Sequence, residues 1–187
     1  PYRALALTAP TWAMTTCRIP TGVGHPEKNI VEYEFPGTKY TTDSMRWTWY
    51  DGADAPPSTG GLGVPDGLKL PGQGSLFVGE EGTMLLPHSS EPQLFPEDKF
   101  KNAARPNLES RDHYHQWVEA CMGNGTTSSP FSYAGPLTES LLLGVVANRF
   151  PGQKLMWDAE NLSVTNLKEA NALLKRTPRE GFHVAGL

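Results

Sequence analysis

The chain has 187 residues and carries 16 Lys and Arg against 20 Asp and Glu, a net charge of −4 with a pI near 5.7. That balance builds no basic field for a phosphate backbone, and the cations are scattered, so nucleic acid is excluded as the expected partner. Cys17 and Cys121 allow at most one disulfide and have no CxxC spacing, so they read as two separate, partly buried thiols.

The chain begins at Pro1 with no Met, leader or apolar anchor. A piece of a longer protein is expected, forming one domain over 1–187, soluble in either a cytoplasmic or a periplasmic compartment. Arg3 to Thr8 alternates weakly and predicts a first strand at a sheet edge, with Cys17 to Pro20 continuing the sheet after it. Thr21 to Pro26 is turn material. Asn29 to Phe35 then alternates cleanly, with Val31, Tyr33 and Phe35 on one side and Glu32 and Glu34 on the other. Pro36-Gly37 turns the chain, and Ser44 to Tyr50 returns with Met45, Trp47 and Trp49 opposed to Arg46, Thr48 and Tyr50. An antiparallel pair with one apolar and one polar face follows.

Asp51 to Gly74 is rich in Gly and Pro and has no period, which predicts a long irregular loop. Ser75 to Gly79 and Thr83 to Pro87 read as a hairpin turned by Glu80-Glu81-Gly82, and another irregular stretch reaches Ser110. Asp112 to Met122 places Tyr114, Trp117, Val118 and Cys121 at helical spacing and ends at Gly123, so an amphipathic helix lying on a sheet is expected. Leu137 to Phe150 is predicted as a helix with Pro136 in its first turn and Pro151-Gly152 as its stop. Its middle, Leu141 to Ala147, is apolar around the full circle, which predicts cover on both sides. The run is far shorter than the roughly 20 residues of a membrane span, so no membrane span is expected and the cover is protein. One side faces the sheet; the other is assigned to a part of the protein outside this chain. Lys154 to Trp157 and Leu162 to Val164 read as strands. Asn166 with Glu169 predicts a capped last helix with the stripe Leu167, Ala170, Leu173 and Leu174, ended by Pro178. The whole predicts an α+β fold, an open and mainly antiparallel sheet with helices packed on one face.

Several residue groups invite chemistry. Asp112-His113-Tyr114-His115 suggests a metal, but residues two apart on a helix diverge by about 200°, so the two His cannot share an ion. His115 and Glu119 do share a face, yet no third ligand is placed by spacing, and a solvated helix face is the better reading. Trp12, Trp47, Trp49 and Tyr50 offer a stacking platform for a sugar or base, against which the period of two assigns Trp47 and Trp49 to a core face. Gly22-Val23-Gly24 lacks a third glycine and Gly61-Leu62-Gly63 leads into Val64-Pro65 without a helix, so no dinucleotide fingerprint is present. There is no GxSxG elbow. Asn124-Gly125-Thr126 and Asn161-Leu162-Ser163 match the glycosylation sequon, the first equally explained as a turn.

Arg111-Asp112-His113-Tyr114-His115-Gln116-Trp117, Tyr133-Ala134-Gly135-Pro136-Leu137-Thr138-Glu139 with Leu142-Leu143-Gly144, and Leu155 through Asn171 resemble the C-terminal part of the Gfo/Idh/MocA oxidoreductases. Glu32 to Phe35, Trp49 to Gly52 and Gly79 to Leu86 extend the resemblance over nearly the whole chain, closest to the bacterial branch of dehydrogenases. It implies a C-terminal domain that shapes a sugar or polyol site and builds a homo-oligomer through its sheet. It also implies a missing Rossmann domain upstream that binds NAD or NADP. The family's glycine loop, lysine motif and catalytic Asp and His segment have no counterpart here, so no catalytic, cofactor or metal residue is assigned, and the chain alone is expected to be inactive. The expected association surface is the polar face with Glu32, Glu34, Arg46, Thr48 and Tyr50, where Arg and Tyr are favoured contacts. Two other readings stay open: a stand-alone carbohydrate-binding or assembly module, and part of an NAD-dependent glycoside hydrolase.

Overall fold

The computed structural model describes residues 1–16, 24–52 and 58–184. The predicted continuation over Cys17 to Pro20, and parts of the turn before Pro26 and of the loop after Asp51, lie outside them. The fold is mixed α+β with antiparallel sheets, and by contact the chain divides into two compact units. One comprises Tyr2–Ala55 with Ser129–Leu187; the other is Pro56–Ser128, with which Pro1 is grouped.

The first unit holds a five-stranded sheet. Its strands are β1 (Trp12–Thr15), β2 (Lys28–Pro36), β3 (Ser44–Gly52), then β7 (Leu155–Asp158) and β8 (Ser163–Val164), in the order β3-β2-β1-β7-β8. Alternation sends Val31, Tyr33 and Phe35 to one face, where all three are buried, and the register sets Met45, Trp47 and Trp49 beside them. Ala13 and Thr15 of β1 fall on the same face, opposite Tyr33 and Val31. Helix α3 (Phe131–Ala147) lies over β1 and β2 on this face and buries Ser140, Leu143, Gly144, Val146 and Ala147. Leu155, Val164 and Ala170 complete the apolar cluster. The approach is close at Gly144: an added Cβ would overlap the Tyr33 hydroxyl. Burial pushes that hydroxyl well above the ordinary tyrosine pKa.

Three expectations are corrected here. Arg3 to Thr8 forms a turn, not an edge strand: Ala6 has φ 51°, Leu7 N–H donates to Tyr2 O (3.0 Å) and the Tyr2 hydroxyl donates to Thr8 O (2.6 Å). Tyr2 and Leu7 are the buried residues, a spacing that suits a closed turn, and the first strand starts later and sits in the centre of the sheet. Helix α3 starts at Phe131, with Pro136 inside it, because the Pro130 carbonyl accepts both Tyr133 N–H and Ala134 N–H at 2.9 Å. The last helix, α4, spans only Lys168–Asn171. Asn166 does not cap it: its side chain accepts from Met156 N–H (2.9 Å) and donates to Lys154 O (2.7 Å). Asn171 is drawn to β8 in the same way, bonding both Val164 N–H and Val164 O at 2.8 Å.

The second unit holds a three-stranded antiparallel sheet of β4 (Gly74–Val78), β5 (Thr83–Pro87) and β6 (Gln93–Phe95), with Leu85 and Phe95 buried. The hairpin forms as expected. Strand β6 and the single helical turn α1 (Glu97–Phe100), where Glu97 and Asp98 occupy the first turn, replace part of the stretch read as irregular. Helix α2 (His113–Cys121) carries a proper N-cap, since Asp112 Oδ1 accepts from His115 N–H at 2.7 Å, and Gly123 follows with φ 80°. It buries none of its residues, however: Trp117 is 41% exposed, and Val118 and Cys121 are exposed as well. Helical spacing of apolar residues set the expectation of a packed helix with a partly buried thiol, and the described residues provide no sheet face under it. No helix among them is long and apolar enough to cross a membrane.

Candidate functional site

The face of the five-stranded sheet opposite α3 gathers all five residues marked from the sequence. Glu34 lies across from Arg46, Glu32 from Thr48 and Ile30 from Tyr50. On the other flank of β2, Trp12 lies across from Glu34 and Met14 from Glu32, and Met156 adjoins Trp12 on β7. Arg46 and Tyr50 are exposed, whereas Glu32, Glu34 and Thr48 are half-buried. Trp12 is buried, and the Lys154 ammonium sits 4.0 Å from the centre of its ring, a cation–π geometry. The four aromatics weighed as one stacking platform are split by the pleat: Trp12 and Tyr50 face one way, Trp47 and Trp49 the other. Trp49 is nonetheless 44% exposed, because α3 covers β1 and β2 and leaves β3 at the margin.

A second feature escaped sequence reasoning. The Trp157 indole N–H donates to Glu139 Oε1 at 2.7 Å, joining the end of β7 to α3. The pair borders a cleft of about 730 Å³ that is also lined by Tyr2, Arg3 and Tyr133. The Arg3 guanidinium stands 5.7 Å from the centre of the Tyr133 ring. Desolvation raises the Tyr2 hydroxyl pKa, a hydrogen bond from Ser140 opposes the rise and the Glu139 charge adds to it. Glu139 keeps a second oxygen as an acceptor, beside aromatic surfaces suited to the apolar faces of a hydroxylated ring. The sequence hint was a single carboxylate in an otherwise uncharged helical run, but its partner is set by tertiary packing.

The His-rich start of α2 does not converge. Glu119 Oε2 accepts from Asn124 Nδ2 at 3.0 Å, and His113 stacks edge-on to Tyr114 with ring centres 5.6 Å apart. The His115 Nδ1 is 3.7 Å from Asp112 Oδ1. Among the described residues no group of three or more His, Cys, Asp or Glu is placed to hold a metal ion.

No family model and no curated protein matches the chain. Leu141, Leu142 and Val145 are 42%, 56% and 41% exposed, a contiguous apolar row on a helix whose opposite side is buried.

Proposed function

We propose that this chain is the C-terminal domain of an NAD(P)-dependent sugar or polyol oxidoreductase of the Gfo/Idh/MocA type, shaping the substrate site and the oligomer interface and supplying no catalytic group itself. The observation that carries the reading is the outer row of α3, Leu141, Leu142 and Val145, which needs an apolar cover that a domain joined upstream would provide. Full burial of such side chains is worth about 1.5–3 kcal/mol each, so covering the exposed part of all three stabilises the joined protein by a few kcal/mol. The cleft at Glu139 and Trp157 supports the substrate role, since a carboxylate oxygen accepts from hydroxyl groups. The gathering of Arg46, Thr48, Tyr50, Glu32 and Glu34 supports the oligomer role.

The nicotinamide nucleotide belongs to the upstream domain. A pyrophosphate is received by a glycine turn leading from a strand into a helix N-terminus. Here the strands pair antiparallel, and the helices follow Pro96, Asp112, Pro130 and Leu167. The described residues do not fit that cradle. Determining the coding sequence upstream of Pro1 tests the reading. A strand, GxGxxG and helix in the same frame is the expected result; a start codon adjoining Pro1 refutes it. Saturable micromolar binding of NAD(H) or NADP(H) by the 187-residue chain in calorimetry would refute the division of roles.

A further inference from the structure

We infer that two copies of this chain join through β3, pairing antiparallel about a two-fold axis at Thr48. This rests on the self-association part of the proposed function and is independent of the oxidoreductase part. Thr16 N–H donates to Ile30 O (3.3 Å), which turns the backbone groups of Ile30, Glu32 and Glu34 toward β1. Val31, Tyr33 and Phe35 consequently bond to Trp49, Trp47 and Met45. The N–H and C=O groups of Arg46, Thr48 and Tyr50 then point away from β2, and among the described residues no strand takes them, because β3 is the edge of the sheet.

An edge of this kind is usually blunted by a proline, a bulge or a very short strand. Strand β3 has nine residues in unbroken register with β2 and contains no proline. The two residues flanking its centre on the apolar side, Trp47 and Trp49, and the exposed Tyr50 at 40% are side chains that favour sheet pairing.

The strand is complementary to itself in one register. With the axis at Thr48, the Thr48 backbones of the two copies exchange both hydrogen bonds, and Arg46 of each copy meets Tyr50 of the other, also as hydrogen-bonded pairs. A guanidinium then lies beside a phenol ring on the polar face, twice. On the opposite face Trp47 meets Trp49 of the second copy, twice, a favourable cross-strand aromatic pair. Asp51 falls across from Met45, so no like charges oppose each other. Moving the axis to Arg46 would set the two guanidiniums face to face. The Thr48 register is the one in which charge, aromatic pairing and outward backbone groups agree, and the result is one continuous sheet across both copies.

Sedimentation equilibrium on the 187-residue chain and its variants tests this. A dimer is expected for the parent chain. Thr48→Pro removes one outward N–H per copy without breaking a bond to β2, so it should leave the circular dichroism spectrum intact and yield monomer. In a chain with both native cysteines replaced by serine, Thr48→Cys should oxidise to a disulfide-linked dimer. Paired residues there have Cα atoms about 5.5 Å apart, within disulfide range. Arg46→Cys should not cross-link, since its two copies would be about 13 Å apart along the strands. A dimer that survives Thr48→Pro and fails to cross-link at Thr48 would overturn the edge contact while keeping self-association through the polar face. A parent chain that is monomeric at every concentration would overturn both.

Discussion

Replacing Gly144 with Ala should destabilise the five-stranded unit even though alanine is the better helix former. The added methyl would lie 2.9 Å from Tyr33 Cζ and 3.2 Å from Val31 Cγ1, besides overlapping the Tyr33 hydroxyl. Those neighbours cannot swing aside, because Val31 and Tyr33 are 2% and 5% exposed and the Tyr33 ring packs on Phe35 with centres 6.2 Å apart. Overpacking of this sort costs about 1–3 kcal/mol. Glycine to alanine in a helix interior returns about 1 kcal/mol. Because the methyl overlaps the hydroxyl outright, the cost falls in the upper part of that range, about 2–3 kcal/mol, so the net loss is about 1–2 kcal/mol, read in urea unfolding as a midpoint lower by roughly 0.5–1 M. Gly135 of the same helix is the control, since nothing lies within 4 Å of a Cβ built there. Gly135→Ala should therefore raise the midpoint. Adding Tyr33→Phe to Gly144→Ala removes the overlapping oxygen and should recover part of the loss, giving a coupling of at least about 0.5 kcal/mol. A Gly144→Ala chain as stable as its parent would refute the close seating of α3 on β2.

Asn171→Ala should cost about 2 kcal/mol, since it removes two hydrogen bonds to the buried Val164 backbone, and chemical denaturation showing a loss no greater than for Asn166→Ala would contradict that. Trp117→Ala on the exposed helix α2 should cost less than about 1 kcal/mol, against about 2–5 kcal/mol for Leu155→Ala in the core; equal losses in the same assay would mean α2 is packed after all. The His115 backbone N–H holds the Asp112 carboxyl below its ordinary value of 3.8. Because the folded pKa is the lower one, the cap supports α2 fully above about pH 4 and releases it as pH falls through the folded value. The difference in 222 nm ellipticity between the parent and Asp112→Asn should open only in acid, and an identical acid titration in both would dismiss the role of this carboxylate.

Strands β2 and β3 were legible because period-two alternation is enforced wherever one sheet face is buried, and Val31, Tyr33 and Phe35 are buried under α3. The same alternation misled at Arg3 to Thr8, where a hydroxyl and two backbone bonds closed a turn instead. Periodicity also cannot say whether a helix meets anything: Tyr114, Trp117, Val118 and Cys121 have the spacing of a packed face and stay exposed. Asn166 read as the cap of the last helix, but its amide bonds to the backbone of Lys154 and Met156, and Asn171, inside α4, bonds through its amide to β8. The polar face was readable from two adjacent strands, while the contact of Glu139 with Trp157 depends on how α3 crosses the sheet. Pairing between distant segments leaves no local trace.

The central strand β1 has consequences for how the sheet is made. One of its edges is closed by β2, a near neighbour in sequence; the other is closed by β7, which lies almost the whole chain away, beyond the unit Pro56–Ser128. Joining such remote segments carries a loop-closure entropy that must be met before the contacts reward it, so topologies of this kind fold slowly. During synthesis β1, β2 and β3 leave the ribosome long before β7 exists, and the sheet waits with the open side of its middle strand unpaired. Ala13 and Thr15, whose backbone groups face the β7 side, would be the most accessible to a wrong strand in that interval, which makes this step the one where a chaperone or a cold, slow expression regime would change the yield of folded protein.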